Sequence, residues 1–187
     1  MQMKVIKCDQ ASLDLGVDYS RGRGAKPKPA EQVIFVGVGN LSLGGDAPEW
    51  KLEMKHSVRL AQDRRGLRMQ GTAALKPARA EIEHPGRHVI ITLSPRDRVP
   101  APELAQEWVK TLLPSVGLQD CPWVAHLHLD SGAPHIDLYA TCCTRDGRVA
   151  NEWRNHWNSQ EACQKLEVRH SLVLSPCLLY TSPSPRD

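Results

Sequence analysis

Residues 126–139 restrict the fold of this chain more strongly than any other segment, because they predict two short strands joined by a tight turn. Polar and apolar residues alternate through both strands, which is typical of half-buried strands with one polar face. The polar positions are His126, His128 and Asp130 on the first strand and His135, Asp137 and Tyr139 on the second. The intervening Ser-Gly-Ala-Pro is common in turns. A register that buries the leucines and isoleucine therefore gathers imidazoles and carboxylates on the opposite face.

This polar face is a candidate metal site. Three histidines and two aspartates occur in phase within twelve residues. Single polar residues on a strand are usually only solvated, and that interpretation stays open. The donors are imidazole and carboxylate with no Cys-x-x-Cys pair nearby, so the pattern favours Mg²⁺, Mn²⁺ or Zn²⁺ in an open catalytic site over a closed structural zinc site.

The rest of the chain predicts an α+β fold with a mainly antiparallel central sheet and helices packed on one or both faces. Further strands are predicted at residues 3–8, 32–38 and 87–94, and helices at 46–65 and from Pro102 to about 113. Residues 11–19 are either a short helix or a turn. Asn158 followed by Glu161 resembles a capping box, which predicts that the last helix starts there. No internal repeat or second domain is evident.

Composition restricts the function less than the hairpin does. The net charge of +3 does not by itself indicate nucleic-acid binding, but Arg21, Arg23, Lys26 and Lys28 cluster in a Gly/Pro-rich loop. The six cysteines have no zinc-site spacing, and there is no signal peptide or membrane-length apolar run. We therefore expect reduced thiols, a cytoplasmic location and no membrane insertion.

The C-terminal residues 175–187 are rich in Ser and Pro and look like a translated sequencing-adapter tail. We expect them to be an artefactual, disordered segment, although an ordinary disordered tail is the alternative. Residues 1–174 then form one domain that is truncated at its C-terminus.

With these features in place, the chain resembles the relaxase/mobilisation nuclease family, the MOBP-type conjugative relaxases of the HUH (His–hydrophobic–His) endonuclease superfamily. The resemblance rests mainly on the motif His128-x-Asp130-x-x-x-Pro134-His135-x-Asp137. In this family a histidine, an aspartate two residues on and a later His-x-His pair form the metal motif. The resemblance implies an HUH endonuclease-like fold over residues 1–174.

The resemblance implies that His128, His135 and Asp137 hold one divalent metal ion. Asp137 stands where the family usually has its third histidine. Aspartate is a competent ligand for hard cations, so we expect Mg²⁺ or Mn²⁺ first and Zn²⁺ as the alternative. Asp130 matches the family's acidic residue, which would orient a ligand histidine or help to deprotonate the nucleophile. His126 has no counterpart in the family and is either an extra ligand or an ordinary strand residue.

The resemblance also implies a tyrosine nucleophile near the N-terminus, which makes Tyr19 the candidate and Tyr139 the reserve. The implied reaction is metal-dependent DNA nicking and strand transfer at a transfer origin through a 5′-phosphotyrosyl intermediate. Arg21, Arg23, Lys26 and Lys28 would contact DNA phosphates. Trp50, Trp153 and Trp157 are candidates for stacking bases, with packing in the core or on the surface as the favoured alternative for each. Implied partners are single-stranded DNA, accessory mobilisation proteins and a type IV secretion coupling protein.

Three other functions stay open. The first is a catalytically inactive single-stranded DNA-binding module of the same fold, which the departure at Asp137 supports. The second is a replication initiator nuclease of the same superfamily. The third is an unrelated metal-dependent hydrolase that uses water as its nucleophile.

Overall fold

The computed structural model describes residues 1–23, 29–42, 45–70, 82–130, 132–151 and 155–175. Residues 176–187 of the predicted tail lie outside these ranges, whereas the predicted boundary between residues 174 and 175 lies within them. The helices and strands, in chain order, are β1 (Gln2–Cys8), α1 (Gln10–Ser20), β2 (Val33–Gly39), α2 (Ala47–Gln70), β3 (Gly86–Thr92), α3 (Pro102–Leu112), β4 (Trp123–His128), β5 (His135–Thr141) and α4 (Asn155–Arg169). Short 3₁₀ helices occur at Ala30–Gln32 and Leu113–Val116.

The five strands form one antiparallel sheet in the order β1-β3-β5-β4-β2. The predicted α+β class with an antiparallel central sheet is confirmed. The predicted histidine hairpin, β4 and β5, lies inside the sheet with β3 on one side and β2 on the other. Strand β2 is an edge strand, and its pairing with β4 shifts between Phe35 and Gly37, which is a β-bulge.

Helices cover both faces of the sheet. Helices α3 and α4 pack on one face over the larger core, in which Leu127, Ile136 and Leu138 are buried. Helices α1 and α2 pack on the other face, where Val17 and Met54 contact Tyr139 and Val124 in a smaller core. The hairpin is consequently buried on both sides. The expectation of half-buried strands was wrong, since all six residues of β4 are buried and β5 is buried from Ile136 onward.

Local signals account for several of the helix ends. The Asp9 side chain caps α1 by accepting a hydrogen bond from the Ser12 N–H at 2.7 Å, so residues 11–19 belong to a helix. Pro102 occupies the first turn of α3, and Gly117 has φ +77° beyond the following 3₁₀ helix. The capping box predicted at Asn158 was wrong, because α4 begins at Asn155 and Asn158 lies within it.

Helix α1 lies very close to the sheet. Gly16 faces the ring of Tyr139 on β5, and a Cβ at residue 16 would clash with that ring. Leu13, Gly16, Val17 and Ser20 form the buried side of the helix. The absence of a side chain at residue 16 therefore lets α1 sit directly on the hairpin, and Tyr19 lies one turn further along the same helix.

Candidate metal centre and nucleophile

The hairpin register brings the predicted metal ligands together. His128 pairs with His135, and His126 pairs with Asp137, so all four project from the same face of β4 and β5. The imidazole rings of His128 and His135 are stacked, with centroids 5.3 Å apart and an angle of 14° between the planes. His128 is fully buried, whereas His135 keeps part of its ring exposed. The pair lies at the end of the hairpin next to the turn.

Two carboxylates flank the His128 ring on opposite nitrogens. Asp130 Oδ1 lies 3.7 Å from His128 Nδ1. Asp137 Oδ2 lies 3.6 Å from His128 Nε2 and 3.8 Å from His135 Nε2. His128, Asp130 and His135 can each offer one ligand atom such that the three atoms lie within 4.8 Å of one another. The site thus contains two imidazoles and two carboxylates, and among the described residues the group whose ligand atoms lie close enough to share one ion is His128, Asp130 and His135.

The donor set fits one divalent cation. Two ligand atoms that each lie about 2.1 Å from a common ion are separated by about 3 to 3.4 Å. Asp137 Oδ2 lies 3.6 Å from His128 Nε2 and 3.8 Å from His135 Nε2, which is only slightly longer, so small side-chain rotations would bring these atoms into ligand positions. Mixed imidazole and carboxylate donors suit Mn²⁺ and Zn²⁺, and the carboxylates also suit Mg²⁺.

His88 on β3 contacts this site, although its sequence context indicates only an ordinary strand residue. Its Nε2 lies 3.0 Å from Asp137 Oδ1, and its ring stacks on Tyr139 with centroids 4.3 Å apart. The contact depends on β3 being the neighbour of β5, which places His88 opposite Tyr139. Strand order is not encoded in the local pattern, so the alternation within β3 gives the face of His88 but not its partner.

Electrostatics keep Asp137 ionised. Burial raises the pKa of this carboxyl, but the hydrogen bond with His88 and the nearby imidazoles of His88, His128 and His135 outweigh burial and lower its pKa below the ordinary value. The hydrogen bond engages Oδ1 and leaves Oδ2 facing both His128 and His135. Asp137 is therefore an ionised, oriented carboxylate beside His128 and His135.

Tyr19 lies over the same face. Its ring is roughly parallel to that of His128, with centroids 6.2 Å apart, and 44% of the residue is exposed. Tyr139 is only 6% exposed, and burial together with the Asp137 charge raises its pKa above the ordinary value. Of these two tyrosines, Tyr19 is the accessible one.

His126 is in phase with His128 and pairs with Asp137, but it is not part of the group formed by His128, Asp130 and His135. Its Nδ1 is 3.1 Å from the Ser20 hydroxyl, and its ring contacts Phe35 across the strand pair. Burial, followed by the positive charges of His128 and Arg21, lowers the pKa of His126 to about 3. The imidazole is therefore neutral at physiological pH and fastens the end of α1 to the sheet.

The structure describes only part of the predicted DNA-binding loop. The Arg21 guanidinium carbon lies 5.9 Å from the centroid of the Trp50 ring, and Arg23 is exposed just beyond it. Lys26 and Lys28 lie outside the described residues, as does Trp153. Trp50 is buried, and Trp157 is exposed on α4, which packs on the far face of the sheet. Within the described ranges, no helix combines the length and apolar composition needed to cross a membrane.

The family model for the MobA/VirD2-like relaxase nuclease domain matches residues 45–172. The match covers more than half of the chain and includes the whole histidine hairpin and His88, whereas Tyr19 and Arg21 precede it. Neither the curated proteins nor the solved structures contain a significant match. Relaxase nuclease domains nick DNA and transfer the cut strand. On the extent of this match, the chain belongs to the MobA/VirD2-like relaxase nuclease-domain family.

Proposed function

We propose that this protein nicks one DNA strand at a specific site in the transfer origin of a mobile element and then transfers that strand, through a 5′-phosphotyrosyl intermediate. The observation that carries the proposal is the position of an accessible Tyr19 over His128, beside a second histidine and two carboxylates. A nucleophile and a cation site on one sheet face are the two components that this chemistry needs.

His128, His135 and Asp137 would hold one divalent cation, with Asp130 orienting His128 from its other nitrogen. Mg²⁺ or Mn²⁺ is the expected ion, and Zn²⁺ is the alternative. The cation would withdraw charge from the non-bridging oxygens of the scissile phosphate. His88 would keep the Asp137 carboxylate oriented, in the way that second partners fix ligand side chains in metal sites.

Tyr19 would supply the nucleophile. Its hydroxyl oxygen bonds to phosphorus while the bond from phosphorus to the 3′ oxygen breaks, so the 5′ phosphate becomes linked to Tyr19 and a free 3′-hydroxyl leaves. The phenol proton passes to a base, for which Asp130 is the candidate, and the departing 3′ oxygen gains a proton. The covalent link conserves the phosphodiester bond energy, so a 3′-hydroxyl can later reverse the step and rejoin the strand.

Basic residues beside Tyr19 would hold the DNA backbone. Arg21 and Arg23 directly follow α1, and Lys26 and Lys28 continue the same basic stretch of sequence. Such residues contribute affinity without sequence information. We also propose that the protein selects its nick site and acts in the cytoplasm. Its further partners would be accessory mobilisation proteins and a type IV secretion coupling protein.

The second candidate is an inactive single-stranded DNA-binding module, and the aspartate at residue 137 is the observation that favours it. Its carboxylate already makes a 3.0 Å hydrogen bond with His88 and faces two imidazoles. If these contacts stabilise the charged cluster without a metal, the fold would persist and cleavage would not occur. A replication initiator would use the same chemistry at a different origin.

A strand-resolved cleavage assay tests the proposal. The protein is mixed with Mn²⁺ or Mg²⁺ and single-stranded DNA from the transfer-origin region of its own element, labelled in parallel at either end. The 3′ label should enter a denaturant-resistant protein adduct, while the 5′ label should appear on a shorter strand ending in a 3′-hydroxyl. Chelator and Tyr19→Phe should each abolish both products.

Other outcomes separate the alternatives. DNA binding by folded protein without cleavage would support the inactive module. Cleavage without an adduct, retained in Tyr19→Phe, would identify a hydrolase that uses water and would contradict the proposal.

A further inference from the structure

A recess lies beside the candidate metal centre, at the edge of the sheet. It has a volume of about 440 Å³ and is lined by Arg21, Phe35, Gly37, Trp50, Gln106 and His126, together with neighbouring residues. This volume is within the range of small-ligand sites in proteins. None of the metal-ligand candidates lines it, so this recess is a separate feature.

An exposed aromatic ring dominates the recess. Phe35 is the one phenylalanine of the chain, and 48% of it is exposed on edge strand β2. The bulge after Phe35 places Val36 in the larger core and leaves Phe35 opposite His126, on the same face as the metal centre. Bulges commonly redirect side chains beside functional sites. An exposed ring held in this way offers a flat apolar surface to solvent.

The rings behind Phe35 make this surface rigid. Phe35 stacks on Trp50 with centroids 5.8 Å apart and an angle of 6° between the planes. It also contacts the His126 ring at 5.4 Å. Trp50 is itself buried beneath this layer. Of the described tryptophans, Trp50 therefore supports the stack, and Phe35 carries the accessible face.

Charge and position indicate the ligand. Arg21 lies over Trp50 at the same recess and follows Tyr19 by two residues. His126 precedes His128 by two strand positions, which is about 7 Å along β4. A cation next to an aromatic platform is the combination that holds a phosphate and its stacked base in single-stranded nucleic acids. Gln106 adds an amide that can both donate and accept a hydrogen bond at a base edge.

We propose that Phe35, supported by Trp50 and flanked by Arg21, is the stacking platform for one unpaired DNA base next to the scissile phosphate. This inference deepens the proposed function, since it names a base-binding subsite of the same DNA-processing face. Stacking on a platform tolerates any base, whereas phosphate contacts need only the backbone. The two contributions can therefore be separated experimentally.

The experiment measures equilibrium binding in chelator to two fluorescent ligands of equal length: oligothymidylate and an abasic oligomer with the same phosphates. Phe35→Leu should weaken oligothymidylate binding by about 5- to 100-fold, the range expected for one lost base stack, and should leave abasic binding unchanged. Phe35→Tyr retains the ring and should restore the preference for bases. Val168→Ala removes an exposed apolar side chain from α4 and should change neither affinity.

Arg21→Gln should lower the affinity for both oligomers and reduce the salt dependence of binding by about one phosphate contact. Equal losses for the two ligands in Phe35→Leu, or no loss at all, would overturn the platform. Circular dichroism of each variant separates a folding defect from lost stacking. Recovery of the base preference in Phe35→Tyr provides a second check. The binding experiment contains chelator, in which no cleavage occurs, so it is independent of adduct formation through Tyr19. Base stacking on Phe35 can therefore be absent while the adduct forms, or present while the adduct does not form.

Discussion

The two faces of the sheet use alternate residues of the same strands but have opposite compositions. Towards α3 and α4, the hairpin presents Leu127, Ile136 and Leu138, which are at most 1% exposed. Towards α1 and α2 it presents His128 and Asp137, which are nearly as buried but interact through charge and hydrogen bonds. Burial alone therefore does not distinguish a core from a site. The apolar face supplies stability by area removed from water, whereas the polar face buries ionisable groups that interact with one another.

The largest expected effect comes from removing a proposed metal ligand on the polar face. His135→Ala should reduce adduct formation by at least about 100-fold, because loss of even a supporting partner of a metal ligand typically reduces activity by about 10- to 100-fold. The partly exposed position makes a large loss of stability unexpected. Adduct yield and urea unfolding measured on the same samples test this. His56→Ala on the exposed side of α2 is the control, and equal yields in both variants would contradict the assignment.

The matching substitution on the apolar face should have the reverse profile. Leu127→Ala should lower the free energy of unfolding by about 2–5 kcal/mol, because Leu127 is fully buried in the larger core. Mn²⁺ affinity at a temperature where the variant is folded should remain unchanged. Chemical denaturation and calorimetric Mn²⁺ titration measure the two quantities. A large loss of Mn²⁺ affinity in folded protein would show that the two faces are not independent.

A subtler change within the polar face isolates the role of His88. His88→Phe preserves a ring against Tyr139 but removes the nitrogen that contacts Asp137. We expect Mn²⁺ affinity to fall by about 10- to 100-fold, as for other residues that orient a metal ligand. His88→Gln keeps a donor and should recover part of the loss. Unchanged Mn²⁺ affinity in His88→Phe would mean that Asp137 is positioned without His88 or is not a ligand. The Mn²⁺ affinity of Asp130→Asn would then be the decisive comparison.

The smallest expected effect tests how closely α1 sits on the sheet. In most helices Gly→Ala is stabilising by about 0.5–1 kcal/mol. Here the new Cβ would clash with the Tyr139 ring, so Gly16→Ala should instead cost about 1–2 kcal/mol net and lower adduct formation by displacing Tyr19. Thermal unfolding and adduct yield report the two effects. Adding Tyr139→Leu should relieve the clash, whereas stabilisation by Gly16→Ala alone would exclude the close contact.

The sequence predicted the parts of the structure that depend on local periodicity. Alternation in the hairpin gave the shared face of His128, His135 and Asp137, and the apolar spacing gave α2 and α3. It did not give the partner of His88, because that contact depends on strand order. It also suggested a half-buried hairpin, because polar residues on a strand look the same whether they face solvent or a covering helix.

Other differences have equally physical causes. The Asn158–Glu161 spacing imitates a helix start, but α4 already begins one turn earlier, at Asn155. The sequence offers three tryptophans as candidates for base stacking. The ring that faces solvent beside the site is Phe35, which a bulge in β2 directs there. Bulges insert one residue without a clear local signal, so the sequence alone did not reveal the platform.

Mapping the tyrosine that becomes linked to DNA is the most direct test of the central claim. Tyr19, Tyr139 and Tyr180 fall in three different tryptic peptides, residues 8–21, 111–145 and 170–186. After cleavage of transfer-origin DNA with Mn²⁺ and nuclease trimming, mass spectrometry should find the nucleotide on peptide 8–21 and on no other peptide. A nucleotide on peptide 111–145 or 170–186, or active cleavage without any modified peptide, would contradict the account of Tyr19 acting over the polar face of the sheet.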